Sequence, residues 1–235
     1  METTFLTSLN NHRGQIISIG NPLLRQHATP FTTEELQNST AALRTLGETM
    51  RDTLRSAGGV GLAGPQVALA RPQVALARRV FVVECNGSQI LPGPLPFLAL
   101  FNPRVDNSAS SGTERVHVQE GCLSVPDMRA LVPRFSDVTV SFFDVFAQRE
   151  RRIRATGCLS CFTLQCFLLV HVGGWLTDVA AIMQHENDHL DGIFYLDRML
   201  PETLCSTVPD ETGTDNCAKY HANEGTKKGT WELLD

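Results

Sequence analysis

The sequence of 235 residues lacks a polybasic run and an arginine-rich face, since 20 Lys and Arg stand against 25 Asp and Glu and the net charge is −5. Counterion release therefore cannot drive strong binding to nucleic acid, which excludes free DNA or RNA as the main partner. Met1 to Gly20 lack the basic start and apolar stretch of a secretory signal, and no organellar transit peptide is obvious. Cysteine is present in an odd number, seven, which excludes a fully paired disulfide framework. A reducing compartment with free thiols is expected, where a thiolate can serve as a metal ligand. Large apolar side chains are few between Pro201 and Trp231, so the tail is expected to stay mobile or pack loosely. What is present is ample apolar material: 42% hydrophobic residues over this length bury a real core, one domain with room for appendages.

Thr32-Thr33-Glu34-Glu35 has the spacing of a capping box. Leu36, Leu43, Leu46, Met50 and Leu54 then recur as one apolar stripe, predicting an amphipathic helix that stops at Gly58-Gly59. Short β-like runs follow at 80–84, 98–101, 115–119, 138–144 and 151–155, so the class is mixed α+β. A second helix is predicted over 178–190, carrying Val179, Ile182, Met183, Glu186 and Leu190, with Gly192 placed to end it.

Two segments break the pattern. Residues 65–71 read PQVALAR and residues 72–78 repeat them letter for letter. Too short for a solenoid unit, this reads as a recent duplication whose second copy bulges from a loop. Residues 158–177 are apolar and cysteine-rich. Ala155 to Leu176 is long enough to span a bilayer, but His171, Gln165 and the Gly173-Gly174 pair interrupt it, so no membrane span is expected. The Cys158, Cys161, Cys166 and His171 spacing is zinc-like, but the histidine falls in the wrong place for a zinc knuckle, and it is read as packing.

Gln184-His185-Glu186-Asn187-Asp188-His189 contains H-E-x-x-H, and on a helix the two imidazoles lie one turn apart on one face, able to share one metal. Glu186, beside them, can reach a water in the open position without binding the metal, which suits a general base. A catalytic tetrahedral site needs a third protein ligand. Downstream stand only His221 and acids such as Glu202, none in a patterned setting. Upstream, Cys122 lies between a predicted strand and a proline-limited turn and could complete the set.

These residues resemble the peptide deformylase family, whose three signatures occur here in the family's order. Gly59-Val60-Gly61-Leu62-Ala63-Gly64-Pro65-Gln66 matches G-x-G-x-A-A-P-Q with Gly64 in place of alanine. Glu120-Gly121-Cys122-Leu123-Ser124 matches E-G-C-L-S, and Gln184 to Leu190 matches Q-H-E-x-D-H-L. The stretches 16–25 and 129–134 also look like the family's, so the likeness covers about 16–199.

The resemblance implies small antiparallel or mixed sheets packed around a central C-terminal helix carrying H-E-x-x-H. It further implies Fe(2+), replaceable by zinc, nickel or cobalt, on Cys122, His185 and His189, with Glu186 as base. The reaction implied is removal of the formyl group from the N-terminal formyl-methionine of new proteins, with release of formate. Oxyanion donors would be the Gln66 side chain and the Leu123 N–H. Gln73 is a rival in identical local sequence, and Gln66 is preferred because it alone follows the glycine loop. Val60, Gly61 and Arg129 are the expected flanks of a peptide lying as an added strand, and Asp188 is expected to orient a histidine or pair with Arg134. Partners would be formyl-methionyl nascent chains, with transient ribosome association, in a bacterial cytoplasm or a eukaryotic organelle. The expected division is an N-terminal extension 1–15, a catalytic domain 16–200 and a polar tail 201–235.

The family pattern A-x-G-x-x-A-x-x-x-Q-H-E is restored by joining Gly157 to Asp178, which marks the twenty residues 158–177 as excess, a translated intron or faulty gene model in this reading. Two alternatives stand beside the enzyme. One is another H-E-x-x-H metallohydrolase or peptidase. The other is a catalytically impaired relative with a binding role.

Overall fold

The computed structural model describes residues 14–68, 76–85, 95–107, 115–156, 179–211, 213, 216–217 and 230–234. Among them, helices α1 (Thr33–Asn38), α2 (Thr40–Ala57) and α3 (Val179–Leu190) pack on three antiparallel sheets. The strands are β1 (Gln15–Ile16), β2 (Gly61–Ala63), β3 (Val67–Ala68), β4 (Val80–Cys85), β5 (Leu95–Asp106), β6 (Arg115–Cys122), β7 (Val125–Phe135), β8 (Asp137–Asp144), β9 (Arg149–Thr156), β10 (Cys205–Ser206) and β11 (Thr230–Leu234). Six of them form one sheet in the order β11-β9-β8-β5-β4-β2; β10-β7-β6 and β1-β3 form the other two. The chain is an α+β protein.

The predicted first helix is real but broken at Ser39, where the backbone leaves the helical region (φ −110°, ψ 25°). Thr32 caps α1 as expected: its hydroxyl accepts from Glu35 N at 3.1 Å while the Glu35 carboxylate accepts from Thr32 N at 2.6 Å. Gly58, at φ 68°, ends α2 in the left-handed conformation that costs glycine nothing. The stripe Leu43, Leu46, Met50 and Leu54 is wholly buried. It packs on one face of β4, against Val80 and Val82, while Phe81 and Val83 face the other way into the cluster that holds α3. This two-sided burial is why Val80 to Val83 of β4 are continuously apolar rather than alternating. Helix α3 buries Ala180, Ala181, Ile182 and Met183 against Phe142, Ile153 and Ala155 of the large sheet. Gln184 ties α3 to the small sheet, its amide accepting from Phe135 N at 3.0 Å and donating to Phe135 O at 2.9 Å.

Three expectations need correction. The stretch after Cys122 is not merely a proline-limited turn: after the Leu123-Ser124 turn it becomes the eleven-residue strand β7. Pro126 and Pro133 argue against a strand by sequence, yet β10 pairs only with Met128 and Arg129, away from both prolines. The tail is not loosely packed throughout, because β10 joins β7 and β11 pairs with β9 over five residues, seating Leu233 against the core. Nor are all thiols free. Cys85 and Cys122 are, but Cys205 and Cys217 form a disulfide, since β10 places Cys205 beside the following turn of the tail.

Around the duplication, the described residues come from both copies. Pro65 to Ala68 come from the first heptad, whereas Leu76, Ala77 and Arg78 come from the second, and Leu76 N donates to Val67 O at 2.9 Å. Leu76 is 1% exposed. Because the copies are identical, the chain can use the front of one and the back of the other and still bury the same side chains. Gln73 and the segment 158–177, with its membrane and zinc readings, lie outside the described residues. No described helix is long and apolar enough to cross a membrane.

Candidate metal centre

Cys122 stands at the end of β6, where the strand turns through Leu123 and Ser124 into β7. His185 and His189 stand one turn apart on α3. The fold brings the three together. Cys122 Sγ is 3.2 Å from His189 Nε2, which is 3.2 Å from His185 Nε2, and all three residues are buried. A tetrahedral cation with bonds of about 2.0 to 2.3 Å holds its ligands about 3.5 Å apart. One thiolate and two imidazoles at these separations therefore fit a single divalent transition metal.

The surrounding groups fix the ligands. Glu120, two residues before Cys122 on β6 and fully buried, accepts from His185 Nδ1 at 2.8 Å, leaving Nε2 for the metal. Glu120 also accepts from Arg134 Nε at 2.6 Å and Nη2 at 2.9 Å. Arg134 Nη1 donates to Asp188 at 2.6 Å, and Arg198 donates to the same carboxylate at 2.6 and 2.8 Å. Burial opposes ionisation of Glu120, but Arg134 and then His185 outweigh it and hold its carboxyl down to about 2. Of the two roles expected for Asp188, the pairing with Arg134 is the one formed. Glu120, Ser124 and Arg198 were not singled out by sequence reasoning; Glu120 and Ser124 lie inside the cysteine signature, while Arg198 carried no signal.

Glu186 is 3% exposed, and burial raises its carboxyl to about 7. Its Oε2 is buried without a hydrogen-bond partner among the described residues. Such an orphan is costly and marks a place for a water or a substrate atom. Glu186 rests on Gly61, where an added Cβ would fall 2.3 Å from Oε1. Gly61 is thus bare because the carboxylate occupies the space a side chain would take.

Gln66 is 2% exposed and its amide orientation is fixed. Oε1 accepts from Ala63 N at 2.9 Å, and Nε2 donates to Cys122 Sγ at 3.3 Å and Ser124 Oγ at 3.1 Å. Leu123 lies in the tight turn after Cys122, its side chain packed beside Gly59. Val60 leads into β2, the end strand of the large sheet, and Gly61 is its first residue. Arg129, on β7, is 6% exposed, with Cys205 of β10 opposite it. The N-terminal segment ties these loops together: Ile17 N donates to Gln66 O at 3.0 Å and Ile19 N to Ser124 O at 2.7 Å.

The sequence profile of the polypeptide deformylase family matches residues 14–204. The chain belongs to that family. Peptide deformylase 2 of Nostoc sp. is 33% identical over 199 residues, covering 83% of this chain and 90% of that protein. Among solved structures, a peptide deformylase from Synechococcus elongatus in complex with actinonin superposes with a TM-score of 0.57 at 27% identity, covering 81% of this chain and 80% of that one. A Met-Ala-Ser-bound class I type b peptide deformylase from Acinetobacter baumannii gives a TM-score of 0.59 at 26% identity, covering 79% of this chain and 97% of that one. The chain is a metal-dependent hydrolase by family, and Cys122, His185 and His189 are grouped so that they could hold one ion.

Proposed function

We propose that this chain removes the formyl group from N-terminal formyl-methionine of newly made proteins at the Cys122, His185 and His189 site, releasing formate. The observation that carries the proposal is the convergence of those three donors beside the unpartnered Oε2 of Glu186. A divalent cation, Fe(2+) in this reading with zinc, nickel or cobalt as substitutes, supplies Lewis-acid chemistry when bound.

The residues do the rest. Glu186 Oε2 takes the proton of the attacking water; its pKa of about 7 suits transfer near neutrality, although a cation's charge draws it back down. As the formyl carbonyl becomes tetrahedral, Gln66 Nε2, exchanging its bond to Ser124 Oγ, and the Leu123 N–H donate to its oxygen. Glu186 returns the proton to the amine nitrogen as the C–N bond breaks. The peptide adds along the outer edge of β2, the end strand of the large sheet, at Val60 and Gly61, with Arg129 on the opposite wall. In this reading residues 16–200 form the catalytic unit, flanked by the extension 1–15 and the tail 201–235. The substrates are nascent chains, met during transient ribosome association, in a bacterial cytoplasm or an organelle that begins translation with formyl-methionine.

The test is anaerobic purification with iron or nickel, followed by formate release from formyl-Met-Ala-Ser. Cys122→Ala should lose both metal and turnover. If the metal survives that change, Cys122 is no ligand and the site is that of a different H-E-x-x-H hydrolase. Full metal loading without formate release would identify an impaired relative.

A further inference from the structure

The loop that carries Gln66 is built from both copies of the duplicated heptad. Gly64 precedes Pro65 and Gln66 in a single 3₁₀ turn, closed by Val67 N donating to Gly64 O. The back of the second copy passes directly over it. A Cβ built on Gly64 would fall 2.7 Å from Arg78 O and 3.0 Å from Leu76 O, both backbone atoms.

Those carbonyls are not free to retreat. Leu76 N is bonded to Val67 O at 2.9 Å and Leu76 O accepts from Arg78 N at 2.7 Å, while Ala77 O accepts from Thr29 N at 2.9 Å. The Arg78 guanidinium lies 4.0 Å over the Phe31 ring and donates to both Glu35 oxygens at 2.7 and 2.8 Å. The 3₁₀ turn is bonded too, through Val67 N on Gly64 O, and any displacement on its side is carried to Gln66, two residues after Gly64.

We propose that Gly64 is a positioning residue for the Gln66 amide, and that the second heptad is what makes glycine obligatory there. The proposal rests on the reading of Gln66 as an oxyanion donor. An alanine methyl needs about 3.4 Å from a carbonyl oxygen, so the turn must give way by about 0.7 Å, and displacement on that scale at a catalytic donor costs up to about a hundredfold in turnover. The duplication is then a working part of the site and the glycine its adjustment. In a chain with one heptad, Ala68 would join Leu76 directly, and the Leu76-to-Val67 bond would have to close a γ-turn over one residue. The carbonyls then leave their present position over Gly64.

The experiment compares Gly64→Ala in the full chain and in a single-copy chain. Deleting any seven consecutive residues within 65–78 gives that same single-copy sequence. Each protein is loaded with Co(2+), and three quantities are measured: cobalt stoichiometry, the thiolate-to-cobalt charge-transfer band, and kcat and KM on formyl-Met-Ala-Ser. In the full chain Gly64→Ala should lower kcat about tenfold to a hundredfold, with KM and stoichiometry held. It should also shift the cobalt band in the same direction as Gln66→Ala, because both weaken the amide's bond to Cys122 Sγ. In the single-copy chain the same substitution should leave kcat and the band close to their single-copy values.

Equal losses in both backgrounds overturn the role of the second heptad, and an unmoved kcat and band in the full chain overturn the role of Gly64. If Gly64→Ala fails to fold only in the full chain, the obstruction is supported; failure in both refutes it. Gln66→Ala separates the two levels: normal turnover there removes the oxyanion reading itself, whereas lost turnover there with an intact Gly64→Ala sinks this inference alone.

Discussion

Glu120→Gln isolates the charge that orients the metal site. Glu120 is 0% exposed and accepts three hydrogen bonds, two from Arg134 and one from His185. Glutamine keeps the shape but turns one acceptor oxygen into a donor, so one N–H of Arg134 or His185 faces another N–H. Breaking a buried ion pair from one side costs about 3–5 kcal/mol when the surviving charge is left alone. Here Arg134 keeps Asp188 at 2.6 Å, which places the loss nearer about 2–4 kcal/mol and the fall in melting temperature at about 5–15 °C. Releasing His185 Nδ1 also frees the ring to rotate, and metal affinity should drop about 10- to 100-fold. Thermal unfolding of the metal-free protein reads the first effect and chelator competition reads the second. An unchanged affinity with a lowered melting temperature would show the network to be structural only. Parental values in both would refute the charge-burial reasoning altogether.

Glu186→Gln should keep its metal and lose about 10²- to 10⁴-fold in turnover; retained turnover in a metal-replete protein would remove Glu186 from the proton transfer. Glu84, 6% exposed, is held down to about 2 by Arg51 and then Arg55, against burial. A depressed folded pKa gives stability that is complete above the unfolded value of 4.5 and lost as pH falls through about 2. Allowing for screening around the partly exposed arginines, this is worth about 1–2 kcal/mol. Glu84→Gln should therefore unfold more readily than the parent at pH 6 but not near about pH 2, and a gap that stayed constant in acid titration would show the sign to be wrong. Leu46→Ala, at a 0% exposed position of α2, should cost about 2–5 kcal/mol in urea unfolding; a smaller loss would mean the α2 face repacks.

Much of the frame was legible because its signals are local. The capping box at Thr32, the stop at Gly58 and the five predicted β runs depend on neighbours in sequence, and all five runs fall within strands. Strand β7 was hidden because Pro126 and Pro133 argue against a strand, and only the short reach of β10 shows why they are tolerated. The break at Ser39 left no signal in the apolar stripe, which continues in phase across it. Strands β10 and β11 were missed because a polar tail reads as solvated until an unpaired strand edge is known to lie nearby.

By itself the sequence determined the donor types and their reach: two imidazoles on one helical face, a carboxylate between them, and a cysteine in a signature found far upstream. Tertiary structure decided the pairings, because convergence of β6 and α3 is what sets Sγ 3.2 Å from Nε2 and puts Glu120 behind His185. It also decided that the first heptad supplies Gln66 to the site while the second supplies Leu76 and Arg78 beside it. Two copies with the same letters carry no local preference, and among the described residues the burial of Gln66 and Leu76 and the clamp on Arg78 distinguish them.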